Sequence, residues 1–409
     1  MIDTKVLGLI LCGSLALVAG CGGSSNGDKA SSAGSSPEAS GSAVTGDPVK
    51  VSAIFDKTNY DDNIGGVKAA EGAVNASGGI NGRPLKIVVC NTENDPNTAA
   101  KCARDAAADA SIVASIGQVT GQAKGVVPIM EQAKIPMIAL HASTGPDFSS
   151  PYAFPTQLGG ALEAAAAAPV AAVRLLKAKN IVIPFADTPT GAGIIDFANT
   201  FLKPLGTEVK GSVAIPLTAT DYTAYANTVA SKNPDALPMA LTLDQGVRLT
   251  KQLRSQGNEV PVFVLATVVD VDKLTSLYGK DATNVYVGSS LRLNSPGYMN
   301  FLADRAKYSG GTGVANVMAV KSWMGAKMFQ SVMKGKELSR ASIFAAMNQV
   351  TDYNTDGLTP PITFSGPAPT GLRAGFPRIV NSTFWVYKYV NGKFEELSPD
   401  PESIFPASG

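Results

Sequence analysis

Residues 73–87 read AVNASGGINGRPLKI, and the way this stretch breaks decides the reading of everything around it. The run up to Asn75 is alanine- and valine-rich, as the end of a helix would be. Gly78 and Gly79 then offer the C-cap that such a helix needs, and Asn81-Gly82 supplies turn chemistry. From Leu85 the chain becomes a short apolar run, LKIVVC (85–90), of strand length. A helix therefore hands over to a strand through a glycine-rich turn.

Outward from this junction the alternation continues. Upstream lie a strand candidate, VKVSAIF (49–55), and a helix candidate over 62–78. Downstream come helix candidates at 97–109 and 121–133 and strands SIVASIG (111–117) and IPMIAL (135–140), with Asn97 or Thr98 as N-cap of the second helix. The strands are Val- and Ile-rich and continuous, as parallel strands covered on both faces are. A second set repeats the scheme: NIVIPFA (180–186), VKGSVAI (209–215), ALPMALT (236–242) and VPVFVLA (260–266). Two copies of one βαβαβα design predict an α/β protein of two doubly wound, Rossmann-like lobes. The tail carries a helix at 271–278, a strand VYVG (285–288), helices near 297–307, 314–334 and 339–349, and a β-pair, TFWVYKYV (383–390) and KFEEL (393–397). It is too small for a third lobe and is expected to pass back between the two, making a multi-strand hinge. The expected division is 48–157 with 268–360 for lobe 1, and 158–267 with 361–409 for lobe 2.

Composition narrows the function. The chain has 409 residues, 16% of them charged, a formal charge of +1 and a single histidine, His141. Near neutrality leaves no footprint for nucleic acid. One histidine and four cysteines leave little for a metal site, a Ser-His-Asp triad or a Cys-His pair, so no cofactor is expected.

Val6 to Val18 forms a short apolar run behind Lys5, of signal-peptide rather than membrane-spanning length. It ends in Val18-Ala19-Gly20-Cys21, which resembles the lipobox of bacterial lipoproteins. That resemblance implies a signal over 1–20, lipidation of Cys21 and an exported monomer held at the outer face of the cytoplasmic membrane. Residues 21–47, Gly/Ser-rich and nearly free of apolar side chains, read as a flexible tether. Of the cysteines then left, Cys90 and Cys102 are expected to form a disulfide in an oxidising compartment.

The stretch 73–87 also resembles the "INAxGGINGRxL" signature of type I periplasmic binding proteins of the leucine/isoleucine/valine-binding class. Asn94-Asp95-Pro96, Ser115-Ile116-Gly117, Ile135-Pro136-Met137-Ile138 with Ala142-Ser143-Thr144, and Pro151-Tyr152-Ala153-Phe154-Pro155-Thr156 resemble later segments of that family. The resemblance spans roughly residues 49 to 397. It implies a bilobed cleft protein that delivers a small solute to an ABC permease and is not an enzyme.

In open parallel sheets ligands settle beyond the carboxyl ends of strands. There the sequence places Thr120 and Gly121, whose helix-start amides suit a ligand carboxylate. His141, Ala142 and Ser143 follow at the next strand end, with a hydroxyl to offer from Ser143. Asp187 and Asp244 stand at strand ends of the second lobe, where an ammonium would be held, so the expected ligand is amino-acid-like, a carboxylate or an amide. Some positions depart from the family pattern. Gly121 stands where a hydroxyl residue is common, Gln245 or Asp244 where an acid grips the amino group, Thr190 for an aromatic before Gly191, and Asn59 beside Tyr60 for another aromatic. An amide, a polyol, an aromatic acid and other amino acids stay open as ligands. Two other readings stay open as well: a ligand-sensing lipoprotein of the same fold, and an exported carboxylate-based enzyme.

Overall fold

A computed structural model of the chain describes residues 44–188, 191, 193–265, 271–279, 283–312 and 315–406. The expected signal segment, Cys21, most of the tether and Thr190 lie outside the described residues. Gly41–Gly409 form one compact unit.

The first half runs β1 (Val49–Phe55), α1 (Tyr60–Ala76), β2 (Leu85–Asn91), α2 (Pro96–Ala108), β3 (Ile112–Ile116), α3 (Ala123–Gln132), β4 (Met137–Ile138), α4 (Gly145–Ser149) and β5 (Ala153–Phe154). Its five strands pair in parallel in the order β2-β1-β3-β4-β5. The chain then enters α5 (Gly160–Leu162), a π-helical turn (Glu163–Ala167) and α6 (Ala168–Leu176). There follow β6 (Ile181–Ala186), α7 (Ile194–Leu202), β7 (Val209–Ile215), α8 (Thr223–Ser231), β8 (Leu237–Pro238), α9 (Leu243–Ser255), β9 (Val262–Leu265), α10 (Val271–Tyr278) and β10 (Val285–Ser289). The tail adds α11 (Pro296–Tyr308), α12 (Ala319–Val332), α13 (Arg340–Asn348), β11 (Thr383–Val390), β12 (Lys393–Glu396) and β13 (Glu402–Ser403).

The second sheet is parallel from β8 through β9 to β10, and the antiparallel β11 and β12 extend it at one edge. Bridges Ile181–Ala236 and Phe185–Ala240 join the β6-β7 pair to β8 at the other. β10 lies in this second sheet, between β9 and β11, and not in lobe 1 where the sequence division put residues 268–289. A buried Val-Tyr-Val strand needs partners on both sides, and β9 and β11 supply them. The helices that follow it do pack on the first sheet's side: α11 and α12 against α1, and α12 and α13 against β3. Arg340 fastens α13 there by donating to Ile112 O at 2.9 Å, Asp109 O at 2.9 Å and Ala133 O at 3.1 Å. The chain thus passes between the sheets three times, after β5, after β10 and before β11.

Apolar cores line both faces of both sheets, as doubly wound packing requires. The glycine-rich stretch builds the end of the first sheet opposite its carboxyl edge. Gly78, Gly79, Asn81 and Gly82 all take positive φ, and a Cβ on Gly79 would strike the Arg83 carbonyl. Asn75 pins the helix end to β2, accepting from Leu85 N at 2.7 Å and donating to Leu85 O at 3.2 Å. Asn81 donates to Met333 O and Lys336 O and accepts from Gly335 N at 2.8 Å, which ties the turn to the end of α12. The family signature is therefore scaffold.

Two smaller expectations resolve clearly. α2 is capped by Asp95, not by Asn97 or Thr98, because Pro96 fits the first helical position and Thr98 N donates to Asp95 Oδ1 at 2.7 Å. Cys90 at the end of the edge strand β2 is bonded to Cys102 of α2.

Candidate functional site

β1, β2 and β3 end side by side, and the segments that follow them meet on one carboxylate. Asp56, just past β1, accepts from Thr92 Oγ1 at 2.6 Å and from Thr120 Oγ1 at 2.7 Å through Oδ1. Its Oδ2 accepts the Gly121 amide at 2.8 Å. Thr120 Oγ1 in turn accepts from Gln122 N at 3.0 Å, so both capacities of that hydroxyl are engaged. The helix-start donors expected to meet a ligand carboxylate already hold the protein's own. α3 begins two residues beyond Gly121, at Ala123. Two carboxylates about 4 Å apart repel by roughly 4 kcal/mol at an effective dielectric of 20, so a second anion is disfavoured here.

At the next strand end, His141 is buried and its Nε2 accepts the Gly160 amide at 2.9 Å. Its backbone N–H donates to Gln118 O at 2.8 Å. The histidine thus joins the end of the β4 segment to the helix that opens the second lobe. Burial, then the positive charge of Lys321, hold its pKa well below the usual imidazole value. With Nε2 accepting, its proton sits on Nδ1, which has no partner among the described residues. Ala142 is fully buried, and Gly159 packs against its carbonyl so closely that a Cβ would collide. Ser143 is half-buried; its amide donates to Asp147 Oδ2 at 3.0 Å, and its hydroxyl makes a long 3.4 Å bond to His141 O. Tyr60, half-buried, opens α1.

In the second lobe the Asp187 amide and the Gln245 side chain converge on one acceptor, Ile215 O, at 2.9 and 3.1 Å. Gln245 is buried, forms a capping box with Thr242 and also donates to Pro216 O at 3.1 Å. Its amide is therefore occupied with closing the start of α9. Asp244 is exposed and pairs with Arg248 at 2.8 Å one helical turn on. Asp187 is exposed at the end of β6. Thus Thr120 and Gly121 cluster with Asp56, His141 to Ser143 form a second group, and Asp187 meets Gln245 in a third.

Two ionisable residues at the chain crossings were not picked from the sequence. Glu163, in the π-helical turn, and Lys321 of α12 are both fully buried. Ser290, just after β10, donates to Glu163 Oε1 at 2.6 Å, and Lys321 Nζ makes a long 3.5 Å bond to Leu158 O. Burial raises the carboxyl's pKa and lowers the amine's, and their mutual attraction opposes both shifts. Asn381 Nδ2 donates to Thr156 O at 3.1 Å and so joins the first crossing to the third. A charge alone in an apolar helix was the available signal: Lys321 in VMAVKSWM (317–324) and Glu163 in an alanine run.

Comparison with known proteins agrees with this architecture. A substrate-binding periplasmic protein from Ralstonia solanacearum superimposes with a TM-score of 0.70 at 16% identity, over 85% of this chain and 99% of that one. The fatty acid ABC transporter substrate-binding protein from Thermomonospora curvata gives 0.71 at 17% identity, over 89% and 94%. The branched-chain amino acid transporter substrate-binding protein LivJ from Streptococcus pneumoniae, solved with isoleucine, gives 0.69 at 18%, over 88% and 100%. At such identities the likeness establishes the fold. No curated protein matches the sequence. The family described as periplasmic binding protein matches residues 58–377. With its two sheets and three crossings, this chain belongs to the periplasmic binding protein family, whose members work outside the cytoplasm and bind small solutes.

Proposed function

We propose that this protein is the solute-binding component of an ABC importer, taking a small polar solute between two lobes that close about the crossings. One lobe comprises β1–β5 with α1–α4 and α11–α13, and the other β6–β13 with α5–α10. What supports this reading is that strand-end groups of both sheets lie beyond the carboxyl ends of parallel strands, where ligands settle in open α/β sheets, with His141 linking β4's segment to α5. Binding would shift an open–closed equilibrium, and the closed form would engage the permease. The chain works as a monomer, anchored through lipid on Cys21. No helix among the described residues is long and apolar enough to cross a membrane.

A thermal-shift screen of residues 22–409 against amino acids, amides, polyols, amines and organic acids tests the reading. A ligand at 100 times its Kd should add about 2.7 kcal/mol of stability. If no solute of any class stabilises the protein, solute binding is wrong. Anchoring is tested separately: Cys21→Ala should move the protein from the membrane fraction into the soluble fraction.

A further inference from the structure

We infer that Asp56 is a built-in occupant of the first lobe's anion position, so the solute offers that lobe a hydrogen-bond-donating head (an ammonium, amide or hydroxyl) and no carboxylate. This rests on the solute-binding reading above. Asp56 follows β1, which lies between β2 and β3, so its carboxylate sits between the segments that follow three strands. The donors it holds come from two of those segments, Thr92 from one and Thr120 with Gly121 from the other, none longer than 2.8 Å. A carboxylate has about four acceptor positions. Three are filled, and one on Oδ2 is left for a donor. Gly121 is exposed and Asp56 half-buried, so the position is open to solute. The neighbouring cation, Lys57, does not neutralise it, because Lys57 pairs with Glu93 at 2.7 Å. On the second lobe, exposed Asp187 adds another acceptor and Gln245 has its amide engaged. A solute with a donor head gains the Oδ2 position, whereas a carboxylate finds Thr120 and Gly121 already engaged.

The test follows the Gly121 amide of 15N-glycine-labelled residues 22–409 during titration with acetate. In the wild type the signal should stay in place, while in Asp56→Ala it should shift and saturate, with a Kd at least about tenfold lower. Asp56→Asn, which keeps the shape and one acceptor, should lie between them. Equal acetate responses in wild type and Asp56→Ala, or none in either, overturn the inference. The solute screen separates this failure from that of the broader reading. A carboxylate solute that binds the wild type and shifts Gly121 overturns only the role of Asp56. Absence of any binding solute overturns both.

Discussion

The helix starts after β3 and after β8 occupy equivalent places in the two lobes and are closed in different ways. In the second lobe the closure is local: Thr242 and Gln245 form a capping box, and Gln245 reaches across to the carbonyls ending β7. It is neutral and buried. In the first lobe the closing group is an ion from another strand, sixty-five residues away in sequence, and its partner Gly121 is exposed. A local neutral cap serves stability. An exposed amide held by a distant carboxylate serves selection, because it sets which charge the cleft accepts.

The comparison presumes that the lobes act through one shared junction, and the largest predicted effect breaks that junction. Glu163→Gln strands the Lys321 ammonium in a dry site and should cost about 3 kcal/mol. Glu163→Gln with Lys321→Met should recover most of the loss in urea unfolding. The native amine has a lowered pKa, so over the window between it and the unfolded value near 10.5 the native state binds fewer protons. The variant's stability should therefore rise with pH across that window; a flat profile would contradict a buried amine whose pKa is lowered.

Next in size is a change confined to the first lobe. Replacing Cys90 and Cys102 by Ser opens the link from the edge strand to α2 and should lower stability by about 3 kcal/mol. Calorimetry should show one transition shifted as a whole; a split into two would mean that the lobes unfold separately.

The two caps themselves come third. Gln245→Ala should cost about 2 kcal/mol, since it removes the capping box and takes one of two donors from each of the Ile215 and Pro216 carbonyls. Asp56→Asn should cost about 1 kcal/mol or less. For solute selectivity the ranking should invert. Equal effects on both measures would erase the distinction.

The smallest effect is a titration. Burial pushes the Asp147 carboxyl, which holds the Ser143 and Thr144 amides, up to about 6. The folded protein then binds more protons than the unfolded chain between about pH 4 and 6, so this group's contribution to stability is lost as pH rises through 6. Carboxyl 13C NMR should give that midpoint, and a midpoint near 4 would contradict it.

What could be read ahead follows the range of the interactions. The turn at residues 78–82 was legible because glycine and asparagine adopt positive φ locally. VKGSVAI and TFWVYKYV are legible as runs of strand length rich in Val or aromatic residues, and they have the bounds of β7 and β11. The α2 cap lies two or three residues before the expected Asn97 or Thr98, because Pro96 takes the first helical position and leaves the cap to Asp95. Asp56 directly follows the VKVSAIF strand in the sequence, yet its bond to Gly121 exists only once three strands are aligned. The same holds for Glu163 and Lys321, whose charges come within reach of each other only where the chain crosses between sheets. β10 went to the wrong lobe because an apolar strand does not say which sheet it joins.

Closure of the lobes is tested most directly by spin labels on Lys124→Cys and Ala224→Cys. Both residues are exposed in the first turns of α3 and α8, at the strand-end edges of the two sheets. With a stabilising solute from the screen at saturation, double electron–electron resonance should show the distance between labels shorten to a single narrower distribution. An unchanged distribution under saturating solute would contradict binding by closure between the lobes.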